Sequence, residues 1–157
     1  MRIIRLIAAL VLSAQLQTSF ASEQVTVDLQ QAADLAGNKQ LAILVLFSSE
    51  DCENCDIARD DFIRLMQKSG DYDDKLLFHI IEMDSGDKLR DFNGQLVYAE
   101  SIADRYSLEL TPTVVLLDGR GQLLASKLSG MSSVDLYGGL LDEAIDKAVA
   151  GLRQPNK

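Results

Sequence analysis

The chain has two cysteines, and they stand two residues apart as Cys52-Glu53-Asn54-Cys55. Leu41 to Phe47, just before them, is a continuous apolar run of the length of a buried strand. Ile57 to Lys68, just after, spaces Ala58, Phe62, Leu65 and Met66 along one face of a helix. A buried strand must therefore hand over to a helix through Ser48-Ser49-Glu50-Asp51, with the cysteine pair at the junction. That places Cys52 at a helix N-terminus, where free backbone N–H groups and the helix dipole favour a thiolate. Cys55, one turn further on, is placed to attack a disulfide formed on Cys52. In that setting the spacing reads as redox chemistry.

Two bland readings compete for the pair. A structural disulfide closing so small a loop is worth only about 1.9 kcal/mol in the chain-entropy model, against about 3 for a 15-residue loop. A copper or zinc site needs more ligands than two thiolates, and the chain offers one histidine and no second cysteine pair. That histidine, His79, lies between Phe78 and Ile80 in an apolar run and reads as a hydrogen-bonded core residue rather than a base. Asp51, Glu53, Asp56 and Asp60 would suit any solvated first turn of a helix, but two of them flank the candidate nucleophile.

The first residues read as an export signal. Arg2 and Arg5 form a basic start, Leu6 to Leu16 is apolar, and Ser19 and Ala21 supply small residues at −3 and −1. Residues 1–21 are expected to be a cleaved signal peptide, leaving 22–157 as one exported domain. The apolar stretch is short for a membrane span, and no stable membrane insertion is expected. Loss of Arg2 and Arg5 moves the formal charge from −9 to −11. Such a balance excludes nucleic acid and anionic membrane surfaces as natural partners.

Along the rest of the chain, Val25–Val27 reads as a short strand and Leu29–Ala36 as a helix stopped by Gly37-Asn38. After the strand Leu41–Phe47 and the active-site helix Cys55–Lys68 comes an apolar strand, Leu76–Met83. A polar excursion, Asp84 to Gly94, comes next, and its Asn93-Gly94 favours a tight hairpin. Ala99, Ile102, Ala103 and Tyr106 recur at helical spacing, and Thr113–Leu117 is a β-branched strand. Asp118–Gly121 signals a turn to a return strand, Leu123–Leu128. Ser132 to Asp135 resembles a capping box, and Leu136, Leu140, Leu141, Ala144, Ile145 and Ala148 then share one face of a last helix. Tyr98, Tyr106 and Phe92 read as packing residues. The order β-α-β-α-β-α-β-β-α implies an α/β domain, a mixed sheet of about five strands with helices on both faces.

This order, the C-x-x-C between strand and helix, and Thr111-Pro112 opening a late strand resemble the thioredoxin fold. The export signal, the insert ending Asp91-Phe92-Asn93-Gly94 and the run Thr111-Pro112-Thr113 resemble the periplasmic SoxW-like thioredoxins within that superfamily. The resemblance implies that Pro112 is a cis-proline facing the cysteines, that Thr111 offers backbone groups to a substrate chain, and that Gly130 lies in a loop beside the site. Gly130 reads equally well as a simple turn residue. The chain departs from the family at Asp51, where a tryptophan is usual, and at Glu53-Asn54, which replaces Gly-Pro, so these three are expected to tune the site. The family's buried aspartate, six residues before the first cysteine, is Leu46 here. Deprotonation of Cys55 then falls to another acid, with Glu82 on the next strand a candidate, or to water.

The resemblance implies a monomeric, exported thiol–disulfide oxidoreductase with no metal or organic cofactor. Cys52 attacks, Cys55 resolves, and Thr111 and Pro112 hold the client backbone extended. A reductant in an oxidising compartment needs a client protein with a disulfide or thiol and a membrane thiol electron donor. The alternatives are a disulfide oxidase or isomerase of the same fold, or a thiol-based metal or haem-maturation chaperone.

Overall fold

The structure, a computed structural model, describes residues 27–153. The expected signal peptide and two of the three residues of the expected strand Val25–Val27 lie outside these residues. Val27, at their edge, still offers its carbonyl to the Arg90 N–H, and Asp28 forms a single parallel bridge to Arg90.

Helix α1 (Leu29–Lys39) starts at Asp28, whose carboxylate accepts the Gln31 N–H at 2.8 Å and so satisfies an otherwise orphaned donor. It runs through Gly37-Asn38, the expected stop, and ends where Gln40 turns left-handed at φ 56°. Strand β1 (Ala42–Ser48) is buried along its whole length, as its unbroken apolar run demands. It pairs parallel to β2 (Leu76–Glu82) and antiparallel to β5 (Thr113–Leu117), which in turn pairs antiparallel to β6 (Leu128–Ser129). The mixed sheet therefore has four strands in the order β2-β1-β5-β6, with helices on both faces.

The polar excursion is the expected hairpin. β3 (Lys88–Arg90) and β4 (Leu96–Tyr98) pair across a turn in which Gly94, at φ 83°, donates its N–H to the Asp91 carbonyl. It leads into α4 (Ala99–Arg105). The return strand is shorter than expected. Leu123 makes one bridge to Leu117, and the strand proper begins only at Leu128. Between them Lys127 reaches away to donate to the carbonyls of Tyr106 and Ser107 at 2.6 and 3.0 Å.

Strand alternation sorts the core into two faces. Ile43, Val45 and Phe47 pack with α1, α4 and the hairpin, around Leu29, Leu89, Ile102 and Tyr106. Leu44 and Leu46 pack with the active-site helix and with α5 (Val134–Arg153), around Ala58, Ile63, Tyr137, Leu141 and Ile145. Each fully buried large side chain here is worth about 1.5–3 kcal/mol.

Two helical faces differ from their sequence expectation. The active-site helix is three pieces: α2 (Glu53–Ile57), a π-helical turn (Ala58–Ile63) and α3 (Arg64–Ser69). The wider turn holds more residues than an α turn, so it rotates the residues of α3 about the helix axis. Ile63 turns in and Leu65 is left 56 % exposed. In α5, Leu136 and Leu140 are exposed and Tyr137 takes the inward place instead. Its ring meets Phe62 edge-on, with centroids 5.2 Å apart. Gly138 permits that approach, because a Cβ there would stand 3.0 Å from the Phe62 ring.

Candidate active site

Cys52 and Cys55 are joined as a disulfide, Sγ–Sγ 2.07 Å, with Cα atoms 5.2 Å apart. Cys52 is the N-cap of α2. Its backbone is extended, its carbonyl accepts from the N–H groups of Cys55 and Asp56, and its Sγ accepts the Cys55 N–H at 3.2 Å. A sulfur in that place receives both an amide proton and the positive end of the helix. Cys52 is half-buried, whereas Cys55 is fully buried. The two sulfurs thus differ as an attacking and a resolving thiol must: one meets solvent and the other lies behind it.

The turn that carries Cys52 is tied to the end of β2. The Ser48 carbonyl accepts the Met83 N–H, and the Glu50 N–H lies 3.0 and 3.1 Å from the two carboxylate oxygens of Asp84. Asp51, exposed, takes a left-handed conformation at φ 54°. Glu53 and Asn54 are exposed on the first turn of α2. Further along the same surface, Arg59 bridges Asp56 and Asp60, and the Arg59 guanidinium holds the Asp60 carboxyl below its usual range.

The loop before β5 faces the pair. The Thr111–Pro112 peptide bond is cis, as the family resemblance implied. The Thr111 hydroxyl stands 3.7 Å from Cys52 Sγ and donates toward it, and it lies 2.8 Å from the Ser49 hydroxyl. Gly130, at φ 71°, donates its N–H to the Pro112 carbonyl at 2.7 Å. Its missing Cβ would lie 3.9 Å from Leu110 Cδ1. Thr111, Pro112 and Gly130 therefore adjoin one another, and Thr111 reaches the first cysteine. Gly130 is also the left-handed turn residue that its bland reading required. A groove of about 460 Å³ opens from Ser49 between Met83, Asp84, Glu100, Asp104 and Leu108.

Two residues read from sequence lie elsewhere. Glu82 closes β2 opposite Ser48 and lines a cavity of about 190 Å³ with Val27, Ser85, Asp87 and Leu89, on the hairpin side. His79 is half-buried in β2 beside Val45, and burial pulls its imidazole below the usual value. Leu46 is fully buried among Leu44, Ala58 and Tyr137, so the position of the family's aspartate is apolar. The contact that sequence reading missed is Ser49. A serine in a turn carries no signal of its own, because its role depends on Thr111, 62 residues away. Among the described residues no group of three or more His, Cys, Asp or Glu side chains could hold a metal ion, and no helix is long and apolar enough to cross a membrane.

A family model described as a thioredoxin-like domain matches residues 29–145. Solved structures similar to the chain include thioredoxin O2 from Arabidopsis thaliana in its oxidised state. The two are 15 % identical over 74 % of this chain and 91 % of that one, at a TM-score of 0.47. A poplar thioredoxin h is 19 % identical over 72 % of this chain and 85 % of its own, also at 0.47. A thioredoxin-fold protein from Helicobacter pylori is 19 % identical over 72 % and 83 %, at 0.48. No curated protein matches the chain by sequence.

Proposed function

The chain belongs to the thioredoxin-like domain family and is a thiol–disulfide oxidoreductase, and from that premise we propose that it is an exported, monomeric reductant of periplasmic protein disulfides, of the SoxW-like kind. One observation carries the reading: a half-exposed Cys52 at a helix N-terminus, with Cys55 buried behind it and Thr111-Pro112 in front.

In the reduced protein, the Cys52 thiolate attacks one sulfur of a client disulfide. A Cys52–client bond forms, the client S–S bond breaks, and the second client sulfur leaves as a thiolate that takes up a proton. The backbone of Thr111 and Pro112 holds the client chain extended during attack. Cys55 then gives up its proton to solvent and attacks Cys52 Sγ, releasing the first client sulfur as a thiolate. Two electrons have passed to the client, and the pair is again the disulfide seen here. A membrane thiol donor returns the two electrons. With Leu46 in the aspartate position, water reaching the mixed disulfide takes the Cys55 proton.

The Thr111 hydroxyl aimed at Cys52 Sγ favours a second reading, the same fold run as an oxidant, because a donor on the sulfur stabilises the reduced, ionised state. Equilibration of the cysteine pair with glutathione decides between them. A potential near that of thioredoxin, about −270 mV, is expected. A value above about −160 mV, toward that of strong oxidants, overturns the reductant.

A further inference from the structure

The hydroxyls of Ser49 and Thr111 are 2.8 Å apart, and the Thr111 hydroxyl in turn donates toward Cys52 Sγ at 3.7 Å. A hydroxyl has one proton and two lone pairs. If the Thr111 proton goes to sulfur, the hydrogen bond to Ser49 has to be donated by Ser49. The order of donation is then fixed: Ser49 to Thr111, and Thr111 to Cys52. We propose that Ser49 is a positioning residue, whose O–H occupies the Thr111 oxygen and so keeps the Thr111 proton directed at the Cys52 sulfur.

The backbone on both sides of Ser49 is pinned, by Ser48 to Met83 and by Glu50 to Asp84, so its side chain is presented from a fixed turn. The relay is weak against the disulfide, whose sulfur is a poor acceptor. It strengthens when Cys52 becomes a thiolate, because a bond to an ionised acceptor is roughly twice as strong as a neutral one. Each bond in a chain of donors also polarises the next. The effect therefore falls selectively on the reduced, reactive state. The charged residues within two positions of Cys52 along the chain are Glu50, Asp51 and Glu53, and Asp84 holds the Glu50 N–H. All four are acidic, so the two hydroxyls and the helix amides are the groups here that favour a thiolate.

The inference rests on Cys52 being the attacking thiol, and the test keeps the two apart. Reduced protein is alkylated with iodoacetamide across pH, and the labelled cysteine is located by mass spectrometry. The variants are Ser49→Ala, Ser49→Thr, Thr111→Val and the double Ser49→Ala/Thr111→Val. Ser49→Ala is expected to raise the midpoint of Cys52 labelling by about half a unit, a roughly threefold loss of thiolate below the midpoint. Ser49→Thr keeps the hydroxyl and should stay near the parent. Thr111→Val should raise the midpoint at least as far, and Ser49→Ala should then add nothing. An unmoved midpoint in Ser49→Ala overturns the relay, as does an equal shift with and without Thr111. Label appearing first on Cys55 overturns the assignment of the nucleophile itself.

Discussion

The two faces of the sheet settle their polar groups differently. On the hairpin side, Asp91 is almost wholly buried and bound by both terminal nitrogens of Arg105. The Tyr106 hydroxyl donates to the Gly121 carbonyl at 2.9 Å, and Lys127 clamps the two carbonyls at the end of α4. On the cysteine side, by contrast, Ser48 Oγ and the Tyr137 hydroxyl are buried with no hydrogen-bond partner among the described residues. One face is a scaffold held by closed polar ties. The other is an apolar wall behind Cys55, with the hydroxyls of Ser49 and Thr111 and the helix amides at the rim around Cys52. Damage to stability and damage to chemistry should therefore separate by face.

The sharpest separation is expected at the cysteines. Cys55→Ser should abolish turnover and leave the mixed disulfide stranded, so that protein expressed in its own compartment runs as higher-mass adducts on non-reducing gels and reductant collapses them. Cys52→Ser should trap little, because the remaining thiol is fully buried. Equal adduct formation by the two variants would break the attacking-and-resolving assignment, and a loss of both alike with no adducts would favour a metal-binding role.

Next in size is the scaffold face. Arg105→Ala leaves the Asp91 carboxylate buried without its cation, at a cost of about 2–3 kcal/mol given that the arginine end is partly exposed. Urea unfolding measures the loss, while the Cys52 alkylation profile should stay where it was. The pair also sets an acid limb. Arg105 holds the Asp91 carboxyl below its usual range, so its contribution is present above about pH 4 and is lost as pH falls through the lowered value. In Arg105→Ala that part of the acid loss should disappear.

On the cysteine face the sign should reverse. Tyr137→Phe keeps the edge-on packing against Phe62 and removes a hydroxyl that is buried without a partner, so it should stabilise the fold by about 1 kcal/mol. Burial pushes the Tyr137 phenol up to about 12. The unfolded phenol ionises first, so its titration leaves stability unchanged below about pH 10, the unfolded value, and lowers it between there and about 12. Tyr137→Phe should flatten that alkaline loss. Destabilisation by Tyr137→Phe would mean that the hydroxyl has a partner after all, and the contrast between the faces would weaken.

The sequence made most of the scaffold legible, because burial writes a strong pattern. Leu41–Phe47 had to be a central strand, Asn93-Gly94 favoured a hairpin turn, and Thr113–Leu117 read as a β-branched strand, and all three are found. What escaped was set by contacts distant in sequence. The return strand is interrupted by bends at Leu124 and Ala125, and past the break the Lys127 side chain binds carbonyls 20 and 21 residues away. The π turn moved Leu65 out and Ile63 in, and no local spacing rule encodes that insertion. At the site, the cysteine pair and Thr111-Pro112 were readable as motifs, but Ser49 acquires a role only once the loop before β5 is folded over it.

The smallest effect tests whether the rim is governed by charge as well as by hydroxyls. Asp51 and Glu53 flank Cys52, and both are exposed, so their like charge acts on a thiolate through solvent and salt. Asp51→Asn with Glu53→Gln removes it. Asparagine tolerates the left-handed φ of 54° at position 51 at least as well as aspartate, so the turn should survive the change. The labelling midpoint of Cys52 should fall by about half a unit. A more stable thiolate stabilises the reduced pair, so the potential should rise by about 10–30 mV, given that about 30 mV corresponds to 1.4 kcal/mol for two electrons. These shifts should shrink as salt is raised, whereas that of Ser49→Ala, a short-range hydrogen-bond effect, should not. If the charge variant moves neither quantity at low salt, the two acids only start the helix, and control of the Cys52 sulfur lies with the hydroxyls and the helix amides.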